Sequence, residues 1–172
     1  MLRYQKYQPL SLVQPQFRLL TVKSRKFVDD QITQDNAGLL KMAPAIPVYC
    51  ELNNAFRTPV PDYTAVSYQW SPEATSLTSV NKEDLIEDVP IIVNNVVVHI
   101  RPNLEWLLRH LQEPQKDVVL WADALCVNQN DEEEKNTQVP KMTSIYAEAA
   151  NTMFGWGLEM EPAISPSRCW MR

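Results

Sequence analysis

Glycine is scarce: three positions in 172 (Gly38, Gly155 and Gly157), against 13 prolines. Ordinary usage is about 7%. Three such positions cannot write a G-x-G-x-x-G turn or a Walker loop, so a bound nucleotide would not sit in a Gly-rich phosphate cradle. Cysteine and histidine are also few. Cys50, Cys126 and Cys169 are far apart and form no C-x-x-C, and the only histidines are His99 and His110. That pattern argues against a disulfide framework and against a Cys/His zinc site. A net charge of −5 argues against a nucleic-acid groove, which needs clustered Lys and Arg. No apolar run approaches the ~20 residues that span a bilayer. The opening MLRYQKYQPL has no apolar core of a secretory signal, so a cytosolic chain is the expectation.

What is present is ordinary globular composition, 45% hydrophobic and 22% charged, over a length that suits one domain with a real core, residues 1–172. Its organising stretch is Leu120 to Tyr146. Val118 to Ala122 is an unbroken apolar run, short enough for a strand buried on both faces. A polar turn follows at Asp123 and again from Asn128 to Asp131. Apolar residues then return at helical spacing: Val139, Met142, Ile145, Tyr146 and Ala149. In open α/β sheets ligands sit beyond the carboxyl ends of such strands.

The remaining elements read in order. Phe17–Val22 and Val48–Leu52 are strands, separated by a polar, Pro-punctuated loop excursion over 24–45. Arg57–Asp62 is a Pro-rich connector. Tyr63–Trp70 is a strand rich in β-branched and aromatic residues, and 73–88 is loop. Pro90–Ile100 is a hairpin turning at Asn94-Asn95, because Asn tolerates positive φ. Arg101–Glu113 is a helix with Leu104, Leu107, Leu108 and Leu111 on one stripe. Pro140 moves the regular part of the next helix to about Thr137, leaving Glu134 on a loop or a separate turn. Asn151–Gly157 is the last strand, and 159–172 is a fraying tail. Alternation of strand and helix predicts an α/β fold with a mostly parallel sheet and an added hairpin.

Three strand ends should meet at one sheet edge: Ser67–Trp70, Asp123–Asp131 and Gly155–Gly157. Hydroxyl, phenol, indole and carboxylate groups there suit a ribose or nucleobase. Two readings stand for most of these residues. Asp123 either accepts a ligand hydrogen bond or caps a turn. Glu134 is either a carboxylate over the site or the far end of an Asp131-x-x-Glu134 capping box. Asn128 and Gln129 either bind a ligand or tie down the turn. Trp70 and Trp121 favour core or rim packing. Cys126 reads as a small buried hydrophobe, Glu132 and Glu133 as solvated charges, and His99 and His110 as solvent-facing. No G-x-S-x-G surrounds Ser67, which leaves a serine triad unsupported.

Tyr63-Thr-Ala-Val-Ser-Tyr-Gln-Trp70 resembles the Y-x-A-L-S-Y-x-W-G motif of the fungal heterokaryon incompatibility (HET) domain. Trp121-Ala-Asp-Ala-Leu-Cys-Val-Asn-Gln129 resembles its W-I-D-A-L-C-I-N-Q motif. The spacing Asp131-x-x-Glu134-Lys135-x-x-Gln138-Val139-x-x-Met142-x-x-Ile145-Tyr146 follows the same family, through Ala149 to Trp156-Gly157. The motif core covers residues 60–158. Ser71 stands where the family has glycine, Ala122 replaces a bulkier residue, and Pro140 interrupts the family's helix.

The resemblance implies a role in fungal non-self recognition and the cell death that follows incompatible fusion. It also implies a fold similar to Toll/interleukin-1 receptor (TIR) domains, a flavodoxin-like sandwich. By that analogy NAD is a substrate rather than a resident cofactor. Glu134 would be the catalytic carboxylate, with Ser67, Tyr68, Trp70, Asp123, Asn128, Gln129 and Asp131 lining the pocket. The partners implied are a second copy of the chain or an NLR-type incompatibility protein. A non-catalytic signalling module is the alternative of a different class.

Overall fold

The computed structural model describes residues 7–11, 15–34, 47–68, 88–156 and 159–162, with backbone alone for 68, 154–156 and 159–162. The strands are β1 (Gln16–Val22), β2 (Tyr49–Phe56), β3 (Thr64–Tyr68), β4 (Val89–Val93), β5 (Val96–Ile100), β6 (Val118–Ala122), β7 (Asn151–Trp156) and β8 (Glu159–Pro162). The helices are α1 (Arg25–Gln34), α2 (Pro102–Leu111), α3 (Asp123–Cys126), α4 (Glu132–Gln138) and α5 (Met142–Glu148). A 3₁₀ turn, Val139–Lys141, joins the last two.

All eight strands form one sheet in the order β5-β4-β2-β1-β6-β3-β7-β8. The sheet is mixed, not mostly parallel: β2–β4, β3–β6 and β3–β7 run parallel, whereas β1–β2, β1–β6, β4–β5 and β7–β8 run antiparallel. The departure comes from β1, which enters the middle of the sheet and opposes both of its neighbours. Local patterning marks β1 as a strand but carries no information about which strands flank it.

Burial follows the apolar pattern. Leu20, Val22, Ala65, Ile91, Val93, Leu120 and Ala122 are fully buried strand positions. From α2, Leu104, Leu107 and Leu108 enter the same core, each worth roughly 2 kcal/mol of apolar burial. Pro102 opens α2, where a missing N–H costs nothing. Asn94 and Asn95 have φ of 50° and 61°, so the expected two-residue hairpin forms with a turn whose twist suits the strands.

Two further expectations are corrected. Within 24–45, residues 25–34 form helix α1, not loop. Ser24 caps it: its Oγ accepts from Phe27 N at 3.3 Å. Lys26 and Asp30 pair one turn apart, and Val28 is buried. The short run shows little apolar stripe because α1 buries mainly Val28, with Phe27 packed edge-on to Tyr49. In the presumed fraying tail, residues 159–162 pair with β7 as β8. Trp70, most of the 73–88 stretch, and residues 163–172 lie outside the described residues.

Candidate functional site

Strands β6, β3 and β7 run parallel side by side, so their carboxyl ends share one edge. The register sets Val66 beside Ala122 and Tyr68 beside Gly155, which brings Ser67 and Asp123 to the same level. Tyr146, from α5, joins them. Its ring meets Trp121 edge-on at 5.1 Å, and its hydroxyl donates to Val66 O at 3.3 Å. Burial, and then the Asp123 carboxylate, push the Tyr146 phenol up to about 12 against a side-chain hydrogen bond with Ser67. The phenol is therefore a proton donor at any physiological pH. Asp123 Oδ1 accepts from Ala124 N at 2.8 Å at the first turn of α3. The Tyr146 proton is thus engaged by Val66 O; a phenol, a carboxylate and a second hydroxyl at one edge are nonetheless the polar groups from which a site for a polyhydroxyl ligand is built.

A second cluster lies behind α3. Arg18 sits in the middle of β1 and is 2% exposed. A buried guanidinium needs a counter-charge and acceptors for its N–H groups, and it has them. Nη1 and Nη2 reach the two carboxylate oxygens of Glu134 at 2.5 and 2.8 Å. Nη1 also donates to Cys126 O, and Nε and Nη2 donate to Gln8 O. The Tyr7 ring lies 5.0 Å from the guanidinium carbon, and the Tyr7 hydroxyl donates to Val127 O. Burial raises that phenol to about 12.

Glu134 is held from the other side as well. Oε1 accepts from Asn128 N at 2.7 Å, and Glu134 N donates to Asp131 Oδ1 at 3.0 Å. Half of the capping box therefore forms: Asp131 caps α4, while the Glu134 side chain turns to Arg18 and Asn128 instead of Asp131 N, which donates to Asn128 O. Glu134 lies within α4, one helix before the helix carrying Tyr146. Pro140 sits in the 3₁₀ turn between them, where its missing N–H is tolerated.

The expected site residues thus fall into two groups. Ser67 and Asp123 meet at the sheet edge with Tyr146. Tyr68 ends β3 there, with only its backbone described, and Trp70 lies outside the described residues. Glu134, Asn128 and Asp131 gather at Arg18. Gln129 links the two, its Nε2 donating to Asp123 O at 3.0 Å. Trp121 is core, 1% exposed. Cys126 is buried, and burial raises its thiol to about 12. His99 is exposed; His110 is exposed but stacks on Trp106. Sequence reasoning missed Arg18, Tyr7 and Tyr146. Arg18 carried a signal: a charged residue inside the apolar run Phe17-Arg18-Leu19-Leu20 demands a buried partner.

A cavity of about 250 Å³ lies elsewhere, lined by Lys23, Phe27, Tyr49, Glu51, Asn53 and Asn94 among others. Its Lys23 is tied to Asp117 and Glu51, and it adjoins neither cluster. Among the described residues no group of His, Cys, Asp and Glu is arranged to hold a metal ion, and no helix is long and apolar enough to cross a membrane.

Residues 63–166 match the family model described as "Heterokaryon incompatibility protein (HET)". The chain is 30% identical over 125 residues to heterokaryon incompatibility protein 6, OR allele, of Neurospora crassa. That alignment covers 70% of this chain and 17% of the relative, so the chain spans a small part of the longer protein. No solved structure matches.

Proposed function

The chain belongs to the heterokaryon incompatibility family, and on that premise we propose that it acts in fungal non-self recognition and the ensuing cell death as a signalling module working through protein contacts. One observation carries this reading. Glu134, the carboxylate that a TIR-like NAD hydrolase would need free, has both oxygens committed to Arg18, and one of them also to Asn128 N. A carboxylate so engaged fixes the α3–α4 connection against β1. Freeing it would strand a buried guanidinium, at a cost of about 3–5 kcal/mol.

A second reading keeps NAD cleavage. Its support is the parallel β6-β3-β7 edge, where Ser67, Asp123 and Tyr146 converge as ligand groups do in open α/β sheets. In that case Asp123 and the Tyr146 phenol would meet ribose hydroxyls, and Glu134 would act only after the Arg18 pair opened. NAD turnover by the purified chain at low and high concentration separates the two. The first reading expects no turnover at either. Turnover that is lost in Asp123→Asn and Glu134→Gln would overturn it and establish the second.

A further inference from the structure

Strand β5 stands at the end of the sheet, and among the described residues nothing pairs with its outer edge. The backbone directions there can be read from β4. Ile92 N donates to Val48 O and Asn94 N to Cys50 O, both toward β2. Alternation then turns Ile91 and Val93 toward β5, where they face Val98 and Val96. The N–H and C=O groups of Val97 and His99 consequently point outward. The two residues lie symmetrically about Val98.

That symmetry makes the strand its own complement. Set a second β5 antiparallel beside the first with the two-fold axis at Val98. Val97 then faces His99 of the other copy as a hydrogen-bonded pair, and both outward N–H groups and both outward C=O groups of each copy find partners. Val98 faces its own equivalent in a non-hydrogen-bonded pair, the closer kind, with Cα atoms about 4.5 Å apart. Side chains agree with this register. Val96, Val98 and Ile100 continue the core-facing side, while Val97, 58% exposed, and His99 lie on the other.

Charge agrees too. The chain is net negative, yet Val96–Ile100 has no Asp, Glu, Lys or Arg. The nearest charged neighbours at its base, Asp88 and Arg101, form an ion pair. In the proposed register Arg101 faces the neutral Asn95 of the other copy. Edge strands in monomeric proteins are usually blunted by a lysine, a proline or a bulge, and β5 has none of these.

We propose that β5 is a self-association edge, at which a second copy of this chain adds its own β5 antiparallel about Val98 to make one continuous sheet. The inference rests on the protein-contact reading above and names the partner. Two short strands bury little surface, so the dimer belongs to the weak, concentration-dependent class.

Sedimentation velocity from low to high protein concentration tests it, beside Val97→Lys, His99→Pro and Val98→Cys. The wild type is expected to shift from monomer to dimer. His99→Pro removes an outward N–H that none of the described strands uses, and Val97→Lys places a charge at the seam. Each should weaken dimerisation by about tenfold or more with unchanged circular dichroism; if the proline variant fails to fold, Val97→Lys alone decides. Val98→Cys, in a Cys169→Ser background, should cross-link rapidly under mild oxidation, because the Cα separation suits a disulfide. A wild type monomeric throughout, a dimer indifferent to the variants, or no cross-linking at Val98→Cys would overturn the edge. None of these results bears on NAD turnover, so the two proposals fail separately.

Discussion

Arg18 and Glu134 are 116 residues apart in the chain and meet in a bidentate ion pair, with side-chain exposures of 1% and 11%. The pair ties the central strand to the helix that follows the polar turn. Through Gln8 and Tyr7 it also pins the amino-terminal segment over the same place. Among the described residues it holds β1, α3, α4 and residues 7–8 together.

Removing one partner leaves the other buried and unpaired. Arg18→Met or Glu134→Ala should each destabilise the chain by about 3–5 kcal/mol, measured by urea unfolding. The double variant Arg18→Met/Glu134→Leu should recover much of that loss, because two apolar groups have no charge to strand. Single variants as stable as wild type would show that the pair does not hold the fold.

A second ion pair sets the pH window. Burial works against the Asp117 carboxylate, but Lys23 and the Ser24 N–H outweigh it and hold it below its ordinary value of 3.8. Lys23 is raised above 10.5, chiefly by its hydrogen bond to Asp117. A lowered acid stabilises above its unfolded pKa and loses that stability as pH falls through the folded value. A raised base stabilises below its unfolded pKa and loses that stability as pH rises through the folded one. Both contributions are therefore complete between about pH 4 and pH 10.5. Asp117→Asn should remove stability across that window and flatten the acid limb of the stability curve; an acid limb identical to wild type would contradict this.

Both described cysteines are shielded. Burial pushes the Cys126 thiol up to about 12 and the Cys50 thiol well above its usual range. The thiolate is the reactive form, so neither should react with a disulfide reagent at pH 8 in the folded chain. Both should react once urea unfolds it. Mass-spectrometric mapping of labelled peptides over time distinguishes them from Cys169. Labelling of Cys126 in the native protein at the rate of an exposed thiol would mean that the α3 region opens.

Much of this was legible in order along the chain. The hairpin at Asn94-Asn95, the leucine stripe of α2, the buried run of β6 and the burial of Cys126 all follow from local pattern, because period and turn chemistry act over a few residues. Strand order did not follow. β1 lies between β2 and β6 because of contacts from far along the chain. The site divides in the same way. Convergence of Ser67 with Asp123 was implied by parallel strand ends. The capture of Glu134 by Arg18 was hidden, although the lone charge in an apolar strand pointed to some partner.

The hairpin offers the sharpest local test. Asn94 and Asn95 both adopt positive φ, yet their side chains differ in role. Asn94 clamps β2: its Oδ1 accepts from Leu52 N at 2.9 Å, and its Nδ2 donates to Leu52 O at 3.1 Å. Asn95 is exposed. Glycine satisfies positive φ without a Cβ penalty, so Asn95→Gly should be neutral or slightly stabilising. Asn94→Gly keeps the backbone geometry but loses two hydrogen bonds, each worth about 0.5–1.5 kcal/mol net, and should destabilise by about 1–3 kcal/mol. Asn95→Ala should cost about 1–2 kcal/mol, from the left-handed conformation alone. If thermal unfolding ranks Asn94→Gly and Asn95→Gly as equal, the side-chain clamp contributes nothing, and the hairpin is held by its turn and strand pairing only.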